Sequence, residues 1–485
     1  MKKYMLEITA FCAGAIGMII ELVAARILSP YLGNSNLIWT CIIGMMLGFM
    51  SLGYYLGGKI SDKYSNINVL SIFLLTSATF TSIIPLMELY VIEPLSLTNM
   101  NQEFIAIVCS TLTFGLPSLF LATVSPYCVK LKDKDLNEVG KVSGKMSSFS
   151  TIGSIVGTFL AGFVLIPNLG VKNIILLLVV ILCLLSFLLY EKKSKLYVVK
   201  SVITIACLIG IVLLGKKIFF EKHSDIILDT DSEYSRIWVR QIDTNENKLY
   251  AVQVGLGYES IVTGENSLSS DYLKFYDLFD YYKNDSKDTL MIGGAAYTYP
   301  NYYLEKFKDK NIDVVEIDPK MTKIAKEYFD LDTDNERLNI YHQDGRTYLN
   351  KANKKYDCIL VDAFKGIDAP FQITTYEAIL NARRLLNDNG IIITNVISSL
   401  SGKNAKFIEH EYATYKAIFD DVKVFKAQDG FGDDELQNLI LVGFKDGVNE
   451  SSDLEDEYRN LLKREVLEFT SDKDIVTDDL CAIGV

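Results

Sequence analysis

Residues 312–319 read IDVVEIDP, and this stretch decides the fold. Ile312, Val314, Val315 and Ile317 make a short strand apolar enough to be buried in a sheet. Glu316 and Asp318 stand at its C-terminal end, and Pro319 stops it. Upstream, TLMIGG (289–294) is a second apolar run, closed by Gly293 and Gly294 and followed by a helix-like stretch. Strand, glycine turn, helix and a strand ending in an acid are the parts with which an open α/β sheet holds a nucleoside. The glycines let backbone approach the ligand, and the Glu316 carboxylate is placed to accept from both ribose hydroxyls.

The alternation continues along the chain. A helix over 298–308 precedes the strand at 312–317, and a helix over 320–329 follows it. Strand 338–342 leads into QDGRTYLNKA, and strand 357–361 ends at Asp362. A helix over 374–386, strand 391–396, a helix over 403–419 and strands 422–427 and 437–444 complete the pattern. Such crossovers predict a parallel sheet with helices on both faces and a ligand at the C-terminal strand edge. Gly293, Gly294, Glu316, Asp344, Gly345 and Asp362 then converge there. Residues 225–265 alternate apolar and polar between Gly and Asn turns and predict a small antiparallel sheet; 266–284, rich in tyrosine, reads as a connecting helix. Residues 450–469 read as an exposed charged helix.

The first 220 residues are of another kind. Seven apolar segments follow one another at about 8–28, 37–58, 68–92, 104–127, 143–166, 172–190 and 198–214. Most reach the roughly 20 residues that cross a bilayer, and the last is near the lower limit of about 17, which predicts six or seven spans. The first carries Glu21 and Arg26 and no small-residue cleavage site, unlike a cleaved signal peptide. Glycine-rich GFMSLGYYLGGK (48–59) and STIGSIVGTFLAG (150–162) allow close helix packing. Lysines cluster at the N-terminus, after the second, fourth and sixth segments, and at 216, 217 and 222, while the loops at 29–36, 93–103 and 167–171 carry none. That pattern puts the N-terminus in the cytoplasm. A soluble half that is also cytoplasmic then requires the seventh segment not to cross fully, and a nucleoside ligand favours that arrangement.

Charge divides the chain in the same way. Residues 1–220 hold 17 Lys and Arg against 10 Asp and Glu, and the remainder 31 against 50. An acidic soluble half argues against nucleic acid as a partner. Eight cysteines lack metal-knuckle or C-x-x-C spacing, and the three histidines are scattered, so no metal site is expected.

These motifs resemble the spermidine synthase (polyamine aminopropyltransferase) family. VVEIDP with AKEYF (325–329) is similar to its second-strand motif, DGR (344–346) to its adenine-side motif, and YDCILVDAF (356–364) with APFQITTYEA (369–378) to its catalytic segment and the loop after it. The apolar half resembles the branch of that family with a fused multi-pass domain, through GAIGMIIELVAARILSPYLGNS, FSTIGSIVGTFLAGFVLIPNLG and the terminal IVTDDLCAIGV. The resemblance implies a transmembrane bundle over 1–220, a small β-sheet domain with its connecting helix over 221–284, and a Rossmann-like, methyltransferase-type domain over 285–485. It implies transfer of an aminopropyl group from decarboxylated S-adenosylmethionine to an amine such as putrescine, with Asp362 as the base. Gly293, Gly294, Glu316, Asp344, Gly345 and Pro370 would hold the co-substrate, and Tyr276, Asp362 and Lys365 would line the amine site. A homo-oligomer, a lipid bilayer and a small amine are the implied partners.

The sequence also departs from that pattern. Ala296 stands where the family's glycine loop carries an acid, Lys365 where a second acid follows the catalytic aspartate, and FYD (275–277) where Y-H-E is usual. A polyamine is a polycation and calls for several carboxylates; Asp368, Asp478 and Asp479 are the candidates to supply them. The departures keep two other readings open: an S-adenosylmethionine-dependent transferase with another acceptor, such as a methyltransferase, and a transporter or sensor with a nucleoside-binding regulatory domain.

Overall fold

The computed structural model describes residues 4–479 apart from 34, 99, 133–138, 192–194, 244–247, 256, 264–266, 269, 364–370, 449 and 451–454. The chain divides into two compact units, Met1–Trp238 with Val254–Leu256, and Val239–Gln253 with Gly257–Val485.

The first unit holds seven long apolar helices: α1 (Met5–Leu32), α2 (Asn36–Lys63), α3 (Ile67–Ser96), α4 (Gln102–Lys132), α5 (Val139–Leu169), α6 (Val171–Leu189) and α7 (Tyr197–Lys222). All are long and apolar enough to cross a membrane, which is compatible with a multi-pass membrane protein. The seventh is 26 residues long, beyond the 17 read from the sequence, because the helix continues through Lys216 and Lys217 to Lys222. It lies along the whole of α6. Tyr197 stacks on Tyr190 at 4.0 Å at one end, and at the other the Lys172 ammonium sits 3.0 Å from the centre of the Phe219 ring.

Side-chain caps start several of these helices. Ser35 accepts from the Ile38 N–H, and Asn101 from those of Glu103 and Phe104. The small-residue stretches pack as expected. A Cβ at Gly53 would collide with the Leu119 carbonyl on α4, and one at Gly153 or Gly157 with Phe11 or Ala15 on α1. Three π-helical turns, Glu88–Ile92, Thr111–Gly115 and Ala161–Leu165, each end two residues before a proline: Pro94, Pro117 and Pro167. A proline has no N–H to give the preceding turn, and the widened turn accommodates the break.

One end of this unit carries a buried charge cluster. Arg236 is buried and binds Asp229 through two 2.9 Å bonds and Glu88 through a third. Lys172 at 2.8 Å and the Trp238 indole at 3.0 Å also donate to Asp229. Burial pushes Asp229 up, but the Arg236 and Lys172 cations hold it well below the usual carboxylate range. Arg26 donates to the Glu233 carbonyl at 2.6 Å.

Strands β1 (Ile226–Asp231), β2 (Arg236–Asp243), β3 (Lys248–Val254), β4 (Gly257–Thr263) and β5 (Ser267–Leu268) follow as a five-stranded sheet in chain order. A helical stretch, Asp271–Tyr282, comes next. Then come β6 (Asp288–Ile292), α8 (Thr298–Lys306), β7 (Asn311–Val315), α9 (Pro319–Tyr328), β8 (Leu338–Tyr341), α10 (Gly345–Lys351), β9 (Tyr356–Val361), α11 (Tyr376–Leu385), β10 (Leu386–Ser398), α12 (Lys406–Lys416), β11 (Asp421–Lys426) and β12 (Gln437–Phe444).

These seven strands make one sheet in the order β11-β12-β10-β9-β6-β7-β8. It is mixed rather than parallel throughout. The strands from β10 to β8 run parallel, but β12 runs antiparallel to both β10 and β11. The ten residues between β11 and β12 contain no helix to carry the chain back across the sheet, so β12 must return in the opposite sense. Leu290, Ile359, Ile392 and Leu441 of the sheet pack with Ile379 of α11 and Phe407 and Ile408 of α12. The charged helix expected over 450–469 is shorter, Asp456–Leu462, because the chain beyond it joins the sheet edge: Val466 donates to the Val424 carbonyl at 2.8 Å.

Candidate active site

Strand register builds the site. Thr394, Val361, Ile292, Val315 and Tyr341 lie in one row across β10, β9, β6, β7 and β8. The residues one step further along are Asn395, Asp362, Gly293, Glu316 and His342, so these five share the C-terminal edge. Backbone bonds extend the ladder into that row: Asp362 to the Ile292 carbonyl at 2.8 Å, Gly293 to Val315 at 2.9 Å, and Glu316 to Tyr341 at 3.0 Å.

Gly293 has a structural reason as well as room for a ligand. Its φ is +91°, and a Cβ there would strike the backbone of Asp362. Gly293 therefore brings the ends of β6 and β9 together. Ala295 and Tyr297 also take left-handed φ values, +45° and +59°, which cost a non-glycine residue free energy. The resulting loop aims two successive N–H groups at one point. Gly294 and Ala295 both donate to Glu316 Oε2, at 2.9 and 3.0 Å, and Asp318 donates to Oε1 at 2.8 Å. Burial raises Glu316 above the usual carboxylate range despite these three donors.

Asp344 caps α10, with Oδ1 accepting from the Thr347 N–H at 2.8 Å. A Cβ on Gly345 would meet the Ile292 side chain 2.7 Å away. Arg346, the third residue of the DGR motif, binds both oxygens of Asp478, at 3.1 and 2.7 Å, and Thr375 Oγ1 at 2.8 Å. Asp478 is thus committed to an arginine. Pro370, Lys365 and Asp368 lie outside the described residues.

Asp362 is part-buried, and each carboxylate oxygen has one donor. Tyr272 Oη donates to Oδ2 at 3.1 Å, and Asn395 Nδ2 to Oδ1 at 3.2 Å. Burial pushes Asp362 above the ordinary carboxylate range, opposed by hydrogen bonding from Asn395, Tyr276 and Tyr272. Tyr276 is fully buried, set edge-on against Tyr272 at 5.9 Å and Tyr299 at 5.1 Å. Its hydroxyl feels the Asp362 charge, yet it has no hydrogen-bond partner of good geometry among the described residues. Asp277, the acid of FYD, turns away to Tyr299, Tyr302 and Lys306.

Sequence reasoning missed Tyr272 and Asn395. The signal for Asn395 was present: it is an amide inside IIITNV, and a buried polar side chain within an apolar strand needs a partner. Tyr272 is one of several tyrosines in 266–284, and nothing in the spacing separates it from the others.

The site can hold a hydroxyl-bearing ligand at Glu316 and place a proton-accepting carboxylate beside two phenols. A Spermine/spermidine synthase domain model matches residues 276–427. A polyamine aminopropyltransferase of Vibrio vulnificus is 30% identical over 154 residues, 31% of this chain and 50% of that protein. Polyamine aminopropyltransferase 2 of Aquifex aeolicus is 21% identical over 405 residues, covering 80% of this chain and 78% of that protein. A crystal structure of a probable spermidine synthase from Corynebacterium glutamicum aligns with a TM-score of 0.46 and 19% identity, over 54% of this chain and 99% of that one. The chain spans about half the length of the first curated relatives it matches. Residues 276–427 are thus similar to the spermine/spermidine synthase domain, and a region of seven apolar helices precedes them.

Proposed function

We propose that the second unit transfers an aminopropyl group from decarboxylated S-adenosylmethionine to a primary amine such as putrescine, and that the seven helices are a multi-pass membrane domain. The observation that carries this reading is the strand-edge row, which puts a carboxylate of raised pKa, Asp362, beside the loop held by Glu316. Glu316 would take the ribose hydroxyls, Asp344 the adenine amino group through its second oxygen, and Gly293, Gly294 and Gly345 would leave room for the nucleoside. Pro370 would cover it.

The chemistry asks little beyond aim and a base. Asp362 accepts one proton from the ammonium. The freed lone pair attacks the carbon next to the sulfonium, the carbon–sulfur bond breaks, and its electron pair leaves with the thioether. The product is a secondary ammonium, and the proton on Asp362 passes to solvent. A base with a raised pKa is better matched to an ammonium than an ordinary carboxylate is.

The test is turnover by the full-length chain in detergent with the decarboxylated donor and putrescine, followed as methylthioadenosine release. Asp362→Asn is expected to lower the rate by about 10²–10⁴-fold with methylthioadenosine binding kept. Release of S-adenosylhomocysteine from intact S-adenosylmethionine would overturn the donor. Ala296 and Lys365, standing in place of acids, favour a second reading in which the donor is kept and the acceptor differs; turnover only with amines other than putrescine would support it.

Seven full crossings would put residues 4 and 223 on opposite membrane faces, whereas the lysine pattern puts residue 4 in the cytoplasm and nucleoside co-substrates are made there. We place both residue 4 and the second unit on the cytoplasmic face, with the seventh helix not crossing fully. Accessibility of a tag after residue 4 and of an epitope near residue 433 tests this. The same, inner side is expected for both. An epitope read from outside would overturn the placement and require the donor to reach the far side of the membrane.

A further inference from the structure

Asn395 is a buried amide near the C-terminal end of β10, and its orientation is fixed from behind. Asn438, on the neighbouring β12, donates to Asn395 Oδ1 at 2.9 Å. That bond uses the acceptor end of the Asn395 amide and leaves its NH₂ to face Asp362. The two amides and the carboxylate form a chain across three adjacent strands, β12, β10 and β9. On the other side, Tyr272 donates to the second oxygen of Asp362. The carboxylate is therefore held at both oxygens by neutral donors from opposite directions, and neither bond supplies a counter-charge.

We propose that Asn395, oriented by Asn438, is a positioning residue for Asp362: with Tyr272 it locks the carboxylate so that its remaining lone pairs face the amine. The proposal rests on the reading of Asp362 as the base. The titratable groups acting on Asp362 among the described residues are Tyr272 and Tyr276, both on the helical stretch before β6. Asn395 is the contribution of β10, and the β6 loop offers the backbone of Gly293.

The relay has a signature that ordinary packing lacks. Asn395 donates to the carboxylate, so it favours the ionised form. Removing it raises the Asp362 pKa further, and the acid limb of the pH–rate profile moves to higher pH. In the full-length enzyme, Asn395→Ala is expected to lower kcat by about 10–100-fold with co-substrate KM unchanged, and to move that limb upward. Asn438→Ala should move it the same way by less. The double variant should match Asn395→Ala within about twofold, because Asn438 acts only through Asn395. A fall in kcat with an unmoved limb, or fully additive effects of the two substitutions, would overturn the relay.

If the wild-type chain turns over no amine, the assigned reaction has failed and the relay is read without it. The carboxyl infrared band lost in Asp362→Asn is titrated in wild type and in Asn438→Ala, with melting temperatures checked. An upward shift in Asn438→Ala supports the relay, and an unchanged titration overturns it.

Discussion

Asp229 and Asp362 are both aspartates with each carboxylate oxygen held, yet they lie at opposite ends of the electrostatic range. Asp229 meets a guanidinium, an ammonium and an indole, and is pulled below the usual carboxylate range. Asp362 meets a phenol and an amide, carries no cation among its described partners, and is pushed above that range. Burial acts in the same direction on both; the difference is whether charge or only hydrogen bonds answer it. A carboxylate locked by cations is a fastening, since it cannot take a proton without breaking its pairs. A carboxylate held by neutral donors remains a usable base.

Neutralising the two groups should break this comparison in opposite ways. Asp229→Asn leaves Arg236 and Lys172 buried without their main counter-charge, and should destabilise the first unit by about 3–5 kcal/mol. Asp362→Asn should leave the melting temperature nearly unchanged while removing turnover. The pH dependence of Asp229 follows from its sign. Its folded pKa is depressed, so its contribution is present above the unfolded carboxylate pKa, near 4, and is lost as pH falls through the depressed value. Thermal unfolding of the wild-type chain in detergent from neutral pH downward should show that loss, and Asp229→Asn should flatten it. Equal destabilisation by the two asparagine variants would remove the distinction.

A third buried acid lies on the Asp362 side of this range and shows what happens when nothing answers burial. Glu411 on α12 is 1% exposed, one turn from Phe407 and one from Tyr415, and its Oε1 has no hydrogen-bond partner among the described residues. Burial alone pushes it well above the carboxylate range. With a raised folded pKa, the stability it supports is present at low pH and is lost as pH rises through that value. Glu411→Gln should stabilise the chain at alkaline pH by about 1–3 kcal/mol and by little near pH 4. A difference that shrinks as pH rises would overturn the assignment.

What the sequence made legible follows the physics of each region. Strand ends in the parallel part of the sheet announce themselves, because an apolar run must stop where a polar side chain appears; Glu316, Asp344 and Asp362 were found that way. The seven helices were equally visible as apolar length. The Arg236 cluster was not, since it joins Glu88, Lys172 and Asp229 across 57 to 148 residues of chain, and no local pattern encodes such a meeting. The antiparallel return of β12 was hidden for a similar reason: an apolar strand reads the same in either direction, and only the lack of a crossover helix decides. Asn395 was readable in principle, but its meaning depends on the register that sets it beside Asp362.

The smallest expected effect concerns the chain end, where the TDD motif first suggested extra acid for a polycation. Asp478 is half-exposed and binds Arg346 through both oxygens, while Thr375 adds a third bond at 2.7 Å. The same segment is tied down by Val476, which accepts from the Tyr376 N–H at 2.7 Å. It therefore braces the start of α11 against the DGR turn rather than lining an amine site. An exposed ion pair of this kind is worth about 0.2–1 kcal/mol, so Asp478→Asn should raise the KM for the nucleoside donor by at most about fivefold and leave the KM for the amine alone. The arginine and the aspartate share the bond, so Arg346→Gln in the Asp478→Asn background should add nothing through this pair. A selective rise in the amine KM would return Asp478 to the acceptor site and take the brace away.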